Sequence, residues 1–336
     1  MGEFDLIARY FQRPAAAIGR AHSGVALGIG DDCALLQPAP GMQLAVSSDM
    51  LVSGRHFFAD ADPRSLGHKA LAVNLSDLAA CGARPLGFTL ALALPQADEA
   101  WLAAFSEGLF ALADAHGCAL IGGDTTQGPL NICITVFGEV PPGQSLLRSG
   151  AQAGDDIYVS GHLGDAALAL LCLQGTLQLP AEALAHARQR LDMPSPRVTL
   201  GLALRGVATA AADISDGLLG DLGHILKASA VGATVATGDA LDLIAIYASG
   251  TGAKGIFGLN IPSEVALRCV LAGGDDYELV FTAPPARAGA VLEAARSAGV
   301  AVHRVGGIDA APGLRLTDAH GGAVANTFTA FDHFKT

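Results

Sequence analysis

Leu130-Asn-Ile-Cys-Ile-Thr-Val-Phe-Gly-Glu-Val140, closed by Pro141-Pro142-Gly143, divides this chain. The run before the prolines is rich in β-branched and apolar side chains and reads as a strand. Pro-Pro-Gly can neither feed a ladder nor continue a helix, so it marks a boundary. Upstream, Pro63–Cys81 has helical spacing, with Leu66, Ala70, Val73, Leu75 and Leu78 apolar, and stops at Gly82. Asp98–His116 starts on an acid, repeats apolar residues through Trp101, Phe105, Leu109 and Leu112, and stops at Gly117. Residues 3–12 predict a short amphipathic helix, and Ala26–Ile29, Gln43–Ser47 and Phe88–Leu94 predict strands. Downstream, the strand Asp156–Ser160 and the helix Asp165–Gln174 open a second half. Helices around Glu182–Leu191, Arg197–Ala208 and Pro285–Ala298 follow, with further elements at Gly220–Ser229, Glu278–Thr282 and Val302–Val305. Gly232–Leu259 is Gly- and Ala-rich with poor periodicity. Helices and strands mix without strict βαβ alternation, which predicts α+β halves, residues 1–143 and 144–336.

Composition narrows the function. The chain has 336 residues, 51% of them hydrophobic and 15% charged, enough to bury a sizeable core. Mean hydropathy is high, at +0.41. Yet apolar stretches such as Leu86–Pro95 and Ala166–Leu173 run about ten residues or fewer, and a membrane span needs about twenty. A soluble protein with no membrane partner is expected. The net charge of −12 and the lack of any Lys/Arg run argue against nucleic acid. Six scattered cysteines without a CxxC pair, and an N-terminus unlike a secretory leader, point to reduced thiols in the cytoplasm.

The unusual feature is where the acids sit. Gly30-Asp31-Asp32, Ser47-Ser48-Asp49, Asn74-Leu75-Ser76-Asp77, Gly122-Gly123-Asp124, Asp213-Ile214-Ser215-Asp216-Gly217 and Gly273-Gly274-Asp275-Asp276 each set a carboxylate at the end of an apolar run. Any one of these could be turn or capping chemistry, since Asp tolerates the left-handed region and pairs naturally with Gly. Six together suggest carboxylates gathered at strand ends, where sites tend to be built. Many carboxylates with nearby hydroxyls suit a hard divalent ion such as Mg²⁺, which takes oxygen ligands and shares them with substrate phosphates. Zinc would want Cys and His, and the histidines lack HxxxH or HxxE spacing. Gly-rich flanks let backbone N–H groups approach phosphate oxygens. Loading with Mg²⁺ would turn an acidic site effectively positive, so the pattern implies Mg²⁺–nucleotide chemistry. Asp32, Asp49, Asp77 and Asp124 are ligand candidates on spacing alone.

Other nucleotide and catalytic signatures are missing. There is no GxxxxGK[ST], and Lys69, Lys227 and Lys254 lack that context. Gly28-Ile-Gly30 continues as Asp-Asp-Cys, which breaks the dinucleotide fingerprint. GxSxG and the protein-kinase HRD and DFG words are absent.

Taken in order, Gly28-Ile-Gly-Asp-Asp-Cys-Ala-Leu-Leu36, Ser47-Ser-Asp-Met-Leu-Val52 with His56, and Lys69-Ala-Leu-Ala-Val-Asn-Leu-Ser-Asp-Leu-Ala-Ala80 form a recognisable vocabulary. Ile121-Gly-Gly-Asp-Thr-Thr126, Arg148-Ser-Gly150, Asp213-Ile-Ser-Asp-Gly-Leu218, Gly273-Gly-Asp-Asp-Tyr-Glu-Leu279 and Phe331-Asp-His-Phe334 continue it. The chain resembles the thiamine-monophosphate kinase family over essentially its whole length. That resemblance implies the PurM-like two-domain ATP-binding fold shared with aminoimidazole ribonucleotide synthetase. It also implies a homodimer formed through the N-terminal domains and the reaction ATP + thiamine phosphate → ADP + thiamine diphosphate, assisted by several Mg²⁺ ions. By the same resemblance, Asp32, Ser47, Ser48, Asp49, Asp77, Asp124, Asp213 and Asp216 are metal ligands. Gly123, Arg148 and Ser215 are ATP contacts, and His56, Asp275 and Phe331 are thiamine phosphate contacts. No residue stands out as a covalent nucleophile or general base, because the acceptor phosphate is already ionised near neutral pH. The chain departs from the family at Asp275, where Glu is common, at His116, where an aromatic is common, and across Ala240–Glu264, which is longer than usual. The alternatives are another ATP-using enzyme of the superfamily, of the selenophosphate or aminoimidazole ribonucleotide synthetase type, or a non-catalytic Mg²⁺–nucleotide-binding module. Selenophosphate synthetase needs a reactive Cys or selenocysteine near its N-terminus, whereas the first cysteine here, Cys33, sits inside the Gly-Asp-Asp-Cys turn.

Overall fold

The structure, a computed structural model, describes residues 2–13, 24–244 and 261–329. It divides into two compact units: Met1–Leu78 with Ala83–Ser145, and Ala79–Gly82 with Leu146–Thr336. No helix among the described residues is long and apolar enough to cross a membrane.

In the first unit a short ribbon of β1 (Val25–Leu27) and β2 (Leu35–Leu36) precedes β3 (Gln43–Val52). With β4 (Arg84–Leu94), β5 (Ala119–Gln127) and β6 (Asn131–Val140), β3 builds a four-stranded sheet in the order β3-β6-β4-β5. Only β4 and β5 pair in parallel. This unit includes the helix Glu99–Ala115 and, as far as Leu78, the helix Pro63–Cys81. Asp62 opens the 63–81 helix by accepting from Ser65 N at 2.8 Å, with Pro63 where no N–H is needed. Asp98 opens the 99–115 helix by accepting from Ala100 N and Trp101 N, and the helix buries Leu102, Phe105 and Leu109. One sheet face is apolar and buried: Phe88, Leu90 and Leu92 stand in register with Val136, Ile134 and Ile132. The period of two along β3 places Ser47, Asp49 and Leu51 on that face, and Leu44, Val46, Ser48 and Met50 on the other. Residues 3–12, expected as one helix, form an α-turn over Glu3–Leu6 and a wider π-turn over Ile7–Phe11. Phe11 is buried, and Ile7, Ala8 and Phe11 line one cavity.

The second unit is a mostly antiparallel sheet in the order β13-β12-β9-β11-β7-β10-β8. Its strands are β7 (Asp156–Ser160), β8 (Ala210–Ile214), β9 (Gly232–Ala236), β10 (Glu278–Ala283), β11 (Val302–Asp309), β12 (Gly313–Thr317) and β13 (Ala323–Val324). Val159, Ile214, Leu222, Ile225, Val235, Val270 and Val280 are among the side chains of one large core shared by sheet and helices. β8 escapes a propensity reading because its sequence is Ala-Ala-Ala-Asp-Ile; all five residues are buried, and that burial makes it a strand. β9 and the short helix Thr237–Leu241 emerge from the aperiodic Gly232–Leu259 stretch. Residues 245–260 of the divergent Ala240–Glu264 segment lie outside the described residues, as does the Phe331–Phe334 stretch, and the segment's last residues open the helix Ser263–Ala272. The acids do not all collect at strand ends, as the sequence suggested. Ser47-Ser48-Asp49 lies in the middle of β3, Asp124 within β5, and Asp77 in the body of a helix. A strand crossing a sheet presents side chains to both faces, so it offers more than its tip.

Candidate functional site

In the first unit the decisive contact joins β3 to the 63–81 helix. Ser47 Oγ donates to Asp77 Oδ2, and the backbone N–H of Asp49 donates to Asn74 Oδ1 at 3.1 Å. Asn74 is fully buried and anchors itself by donating to Ala70 O at 3.0 Å. Asp49 and Asp77 therefore face each other across strand and helix. Burial, and then the charge of Asp77, pushes the Asp49 carboxyl up to about 6. Two carboxylates that disfavour each other's ionisation suit a cation. Asn74 is the residue that the sequence reading missed here, and its signal was a polar side chain three residues before Asp77 on an otherwise apolar helix face.

Ser48 points to the opposite sheet face. Its Oγ donates to Ile134 O at 3.1 Å and lies 3.0 Å from Thr135 Oγ1. The Ser-Ser-Asp word thus serves both faces of the sheet. A cavity of about 720 Å³ is lined by Gly30, Asp31 and Asp32 on one side and by Gly122, Gly123 and Asp124 on another. Ile7, Phe11, Ile29, Leu90 and Leu120 supply apolar wall. Gly123 has φ +144°, and a Cβ there would stand 1.9 Å from Leu90 O, so no other residue fits. His56 sits in the turn after β3 and accepts the Val52 N–H on Nδ1 at 3.0 Å. A neutral His56 ring consequently carries its proton on Nε2.

In the second unit Asp213 is the buried penultimate residue of β8, and Ser215 and Asp216 form the turn before the helix Leu218–Ser229. Gly217 caps that helix at φ +110°, and a Cβ there would meet Ala272 Cα at 2.7 Å. Asp221 Oδ2 accepts from Ser215 N at 3.0 Å and from Asp216 N at 3.1 Å. Burial raises Asp221 to about 7, countered by those N–H donors and by Arg148. The loop before β10 packs on the same turn, with Asp275 N donating to Ser215 O at 2.9 Å. Asp275 (φ +61°) and Tyr277 (φ +51°) both occupy the left-handed region, a costly conformation for such residues. Their neighbours turn inward. Asp276 accepts from Gly164 N at 3.0 Å, and Glu278 receives Arg190, Arg197 and Ser160. Arg148 is exposed, while its carbonyl accepts from Ser229 Oγ at 3.1 Å.

The structure thus groups Ser47, Asp49 and Asp77, places Asp32, Gly123 and Asp124 around one cavity, and joins Ser215, Asp216 and Asp275 through a shared turn. Phe331 lies outside the described residues. Among the described residues, no three Asp, Glu, His or Cys side chains close on a metal by themselves, so any ion would need oxygen ligands from a substrate or water.

Both units match known domains. Residues 30–140 match the AIR synthase related protein N-terminal domain, and residues 152–319 match the AIR synthase related protein C-terminal domain. The class is therefore a two-domain α+β, PurM-like protein of that type. The thiamine-monophosphate kinase of Salmonella typhimurium (strain LT2) is 47% identical over 337 residues, covering 100% of this chain and 99% of its own. The crystal structure of the thiamine-monophosphate kinase from Stenotrophomonas maltophilia K279a superposes with a TM-score of 0.81 at 46% identity, covering 96% of this chain and 98% of that one. A structure of AaThiL complexed with AMPPCP and TMP gives 0.72 at 25% identity, with 88% and 89% covered. The chain belongs to the thiamine-monophosphate kinase family.

Proposed function

We propose that this protein transfers the γ-phosphoryl group of ATP to thiamine monophosphate, giving thiamine diphosphate and ADP. It is then a phosphotransferase with a phosphate group as acceptor, acting in thiamine diphosphate biosynthesis. The observation that carries the reading is the Asp49–Asp77 pair held across β3 and the 63–81 helix, in a chain of this family. AaThiL, bound to AMPPCP and TMP, supports the substrate pair, since AMPPCP is an ATP analogue whose bridging oxygen is a methylene.

The acceptor oxygen belongs to a phosphate monoester already ionised near neutral pH, so no side chain has to remove a proton. The chain's task is to bring two polyanions into line and to hold them. Mg²⁺ is proposed on Asp32, Ser47, Ser48, Asp49, Asp77, Asp124, Asp213 and Asp216. When bound, it would neutralise phosphate charge and spread the charge developing on the transferred group. Gly123, Arg148 and Ser215 are proposed to hold ATP. His56, with Nε2–H as donor, Asp275 and Phe331 are proposed to hold thiamine phosphate.

The open sheet face supports a homodimer through the N-terminal unit. Leu44, Val46 and Met50 alternate along edge strand β3 with 47%, 56% and 53% of their surface exposed. A cytoplasmic setting suits six cysteines that are all free thiols. The test is chromatographic separation of products from ATP·Mg²⁺ with thiamine monophosphate or with unphosphorylated thiamine. Thiamine diphosphate from the monophosphate alone is expected; ADP without it, or no turnover, refutes the assignment.

A further inference from the structure

We propose that Asp221 is a positioning residue that sets the Ser215–Asp216 turn and, through Ser215, couples the nucleotide-binding turn to the acceptor-binding loop of Asp275. The inference rests on the roles proposed above for Ser215, Asp216 and Asp275.

Asp221 is 4% exposed and lies in the first turn of the 218–229 helix. An acid there would ordinarily be read as a helix cap. In a capping box the third helical residue reaches back to the N–H of the cap itself. Asp221 is the fourth, and it passes over the cap Gly217 to take the N–H groups of Ser215 and Asp216, which precede the helix. Its own N–H makes the first intrahelical bond, to Gly217 O at 3.1 Å, while its side chain bonds outside the helix. The carboxylate is spent on the turn, and on the two residues in it that have proposed ligand roles.

The other side of the same peptide is also held. Ser215 O accepts from Asp275 N at 2.9 Å, and Ile214 O accepts from Tyr277 N at 2.8 Å. Ser215 therefore has its N–H fixed by Asp221 and its C=O fixed by Asp275, which leaves its peptide planes no freedom to rotate. Asp275 and Tyr277 hold left-handed backbone conformations to make these bonds. The charged groups acting on Asp221 are Asp216 in the turn and Arg148, a proposed ATP contact. One carboxylate thus borders three proposed ATP or metal contacts and touches the acceptor loop at one remove.

Displacing a reacting group by about 1 Å can cost on the order of a hundredfold in rate. Asp221→Ala should therefore lower kcat by about that factor and weaken Mg²⁺·AMPPCP affinity in calorimetry. Asp221→Asn, which keeps an acceptor oxygen, should recover most of the affinity. Asp155→Ala is the control. Asp155 is equally buried in the same unit and accepts from Gln152 N and from Thr209 Oγ1, which lies at the other end of β8 from the turn. Both alanine variants should melt earlier, but only Asp221→Ala should change ATP KM and kcat. If Asp221→Ala does not fold, amide exchange in the wild-type protein decides: Ser215 and Asp216 should exchange slowly although they lie in a turn. Wild-type KM and kcat in Asp221→Ala, equal kinetic losses in Asp155→Ala, or fast exchange at both amides would overturn the proposal. Should the wild-type protein make no thiamine diphosphate while AMPPCP affinity still depends on Asp221, the acceptor assignment fails and the positioning role stands.

Discussion

Two carboxylates, Asp49 in the first unit and Glu278 in the second, have opposite surroundings. On β3, Asp49 is pressed against Asp77, a second carboxylate, and burial raises its pKa. At the start of β10, Glu278 meets two guanidinium groups, with Arg190 Nη2 at 2.6 Å and Arg197 Nε at 2.6 Å, and Ser160 Oγ at 2.6 Å. A buried acid answered by arginines is part of the scaffold. One set against another acid is poised for a cation that arrives from outside. The carboxylate is the same, and its neighbours separate a structural acid from a functional one.

That contrast is broken most directly by removing one acid of each kind. Asp49→Asn should lower kcat by about 10²–10³-fold, the usual cost of losing one preorganised electrostatic contact. Its melting temperature should hold or rise, because a like-charge contact disappears. Glu278→Ala should do the reverse. It strands Arg190 and Arg197 at 17% side-chain exposure each. Breaking a buried pair in this way costs about 3–5 kcal/mol, or roughly 10 °C in a unit of this size. Steady-state kinetics and thermal melts on both variants give the answer. If Asp49→Asn proves as destabilising as Glu278→Ala, the cation reading of β3 is wrong.

A milder probe is proton competition. Asp49 titrates near 6, so below that pH a proton and Mg²⁺ compete for the same oxygen. Above pH 6 the carboxylate is ionised and Mg²⁺ affinity should be flat. Below it, affinity should fall by up to about tenfold per pH unit, because binding must displace one proton. Calorimetric Mg²⁺ titrations at pH 5, 6 and 7.5 would show this. Asp49→Asn should remove the slope.

Much of the frame was legible from the chain alone. The helices Pro63–Cys81 and Glu99–Ala115 announce themselves by apolar period and by capping acids, and β7 by an apolar run. β8 did not, because Ala-Ala-Ala-Asp-Ile becomes a strand only through burial between neighbours. The candidate ligands were legible as words, since an acid beside Gly or Ser is visible in one dimension. Their partners were not. Asn74 is a helix residue like its neighbours until β3 is laid against it, and Asp221 looks like an ordinary first-turn acid until its bonds are seen to leave the helix. In Asp275-Asp276-Tyr277-Glu278, spacing alone cannot say which acids face outward. The left-handed backbone at Asp275 and Tyr277 decides that.

Asp276 gives the smallest effect and the finest test of the comparison. It is 1% exposed, and burial raises its pKa well above the ordinary carboxylate range. Gly164 N–H and Arg190 pull it down, and Asp165 and Glu278 push it up again. Folding therefore favours the protonated acid. The unfolded chain releases this proton near pH 4, at the ordinary Asp value. Between that pH and the raised folded value, the folded state holds more protons than the unfolded one, so stability declines as pH rises. Asp276→Asn removes the titration while keeping an oxygen for Gly164 N–H. Relative to the wild-type protein, the variant should gain melting temperature between pH 4 and pH 7, by about 2–4 °C for each kcal/mol released. A scaffold acid should show this in stability with kcat unchanged. If the gap in melting temperature is constant across that range, or kcat falls with the substitution, Asp276 does not belong with Glu278 on the structural side of the divide.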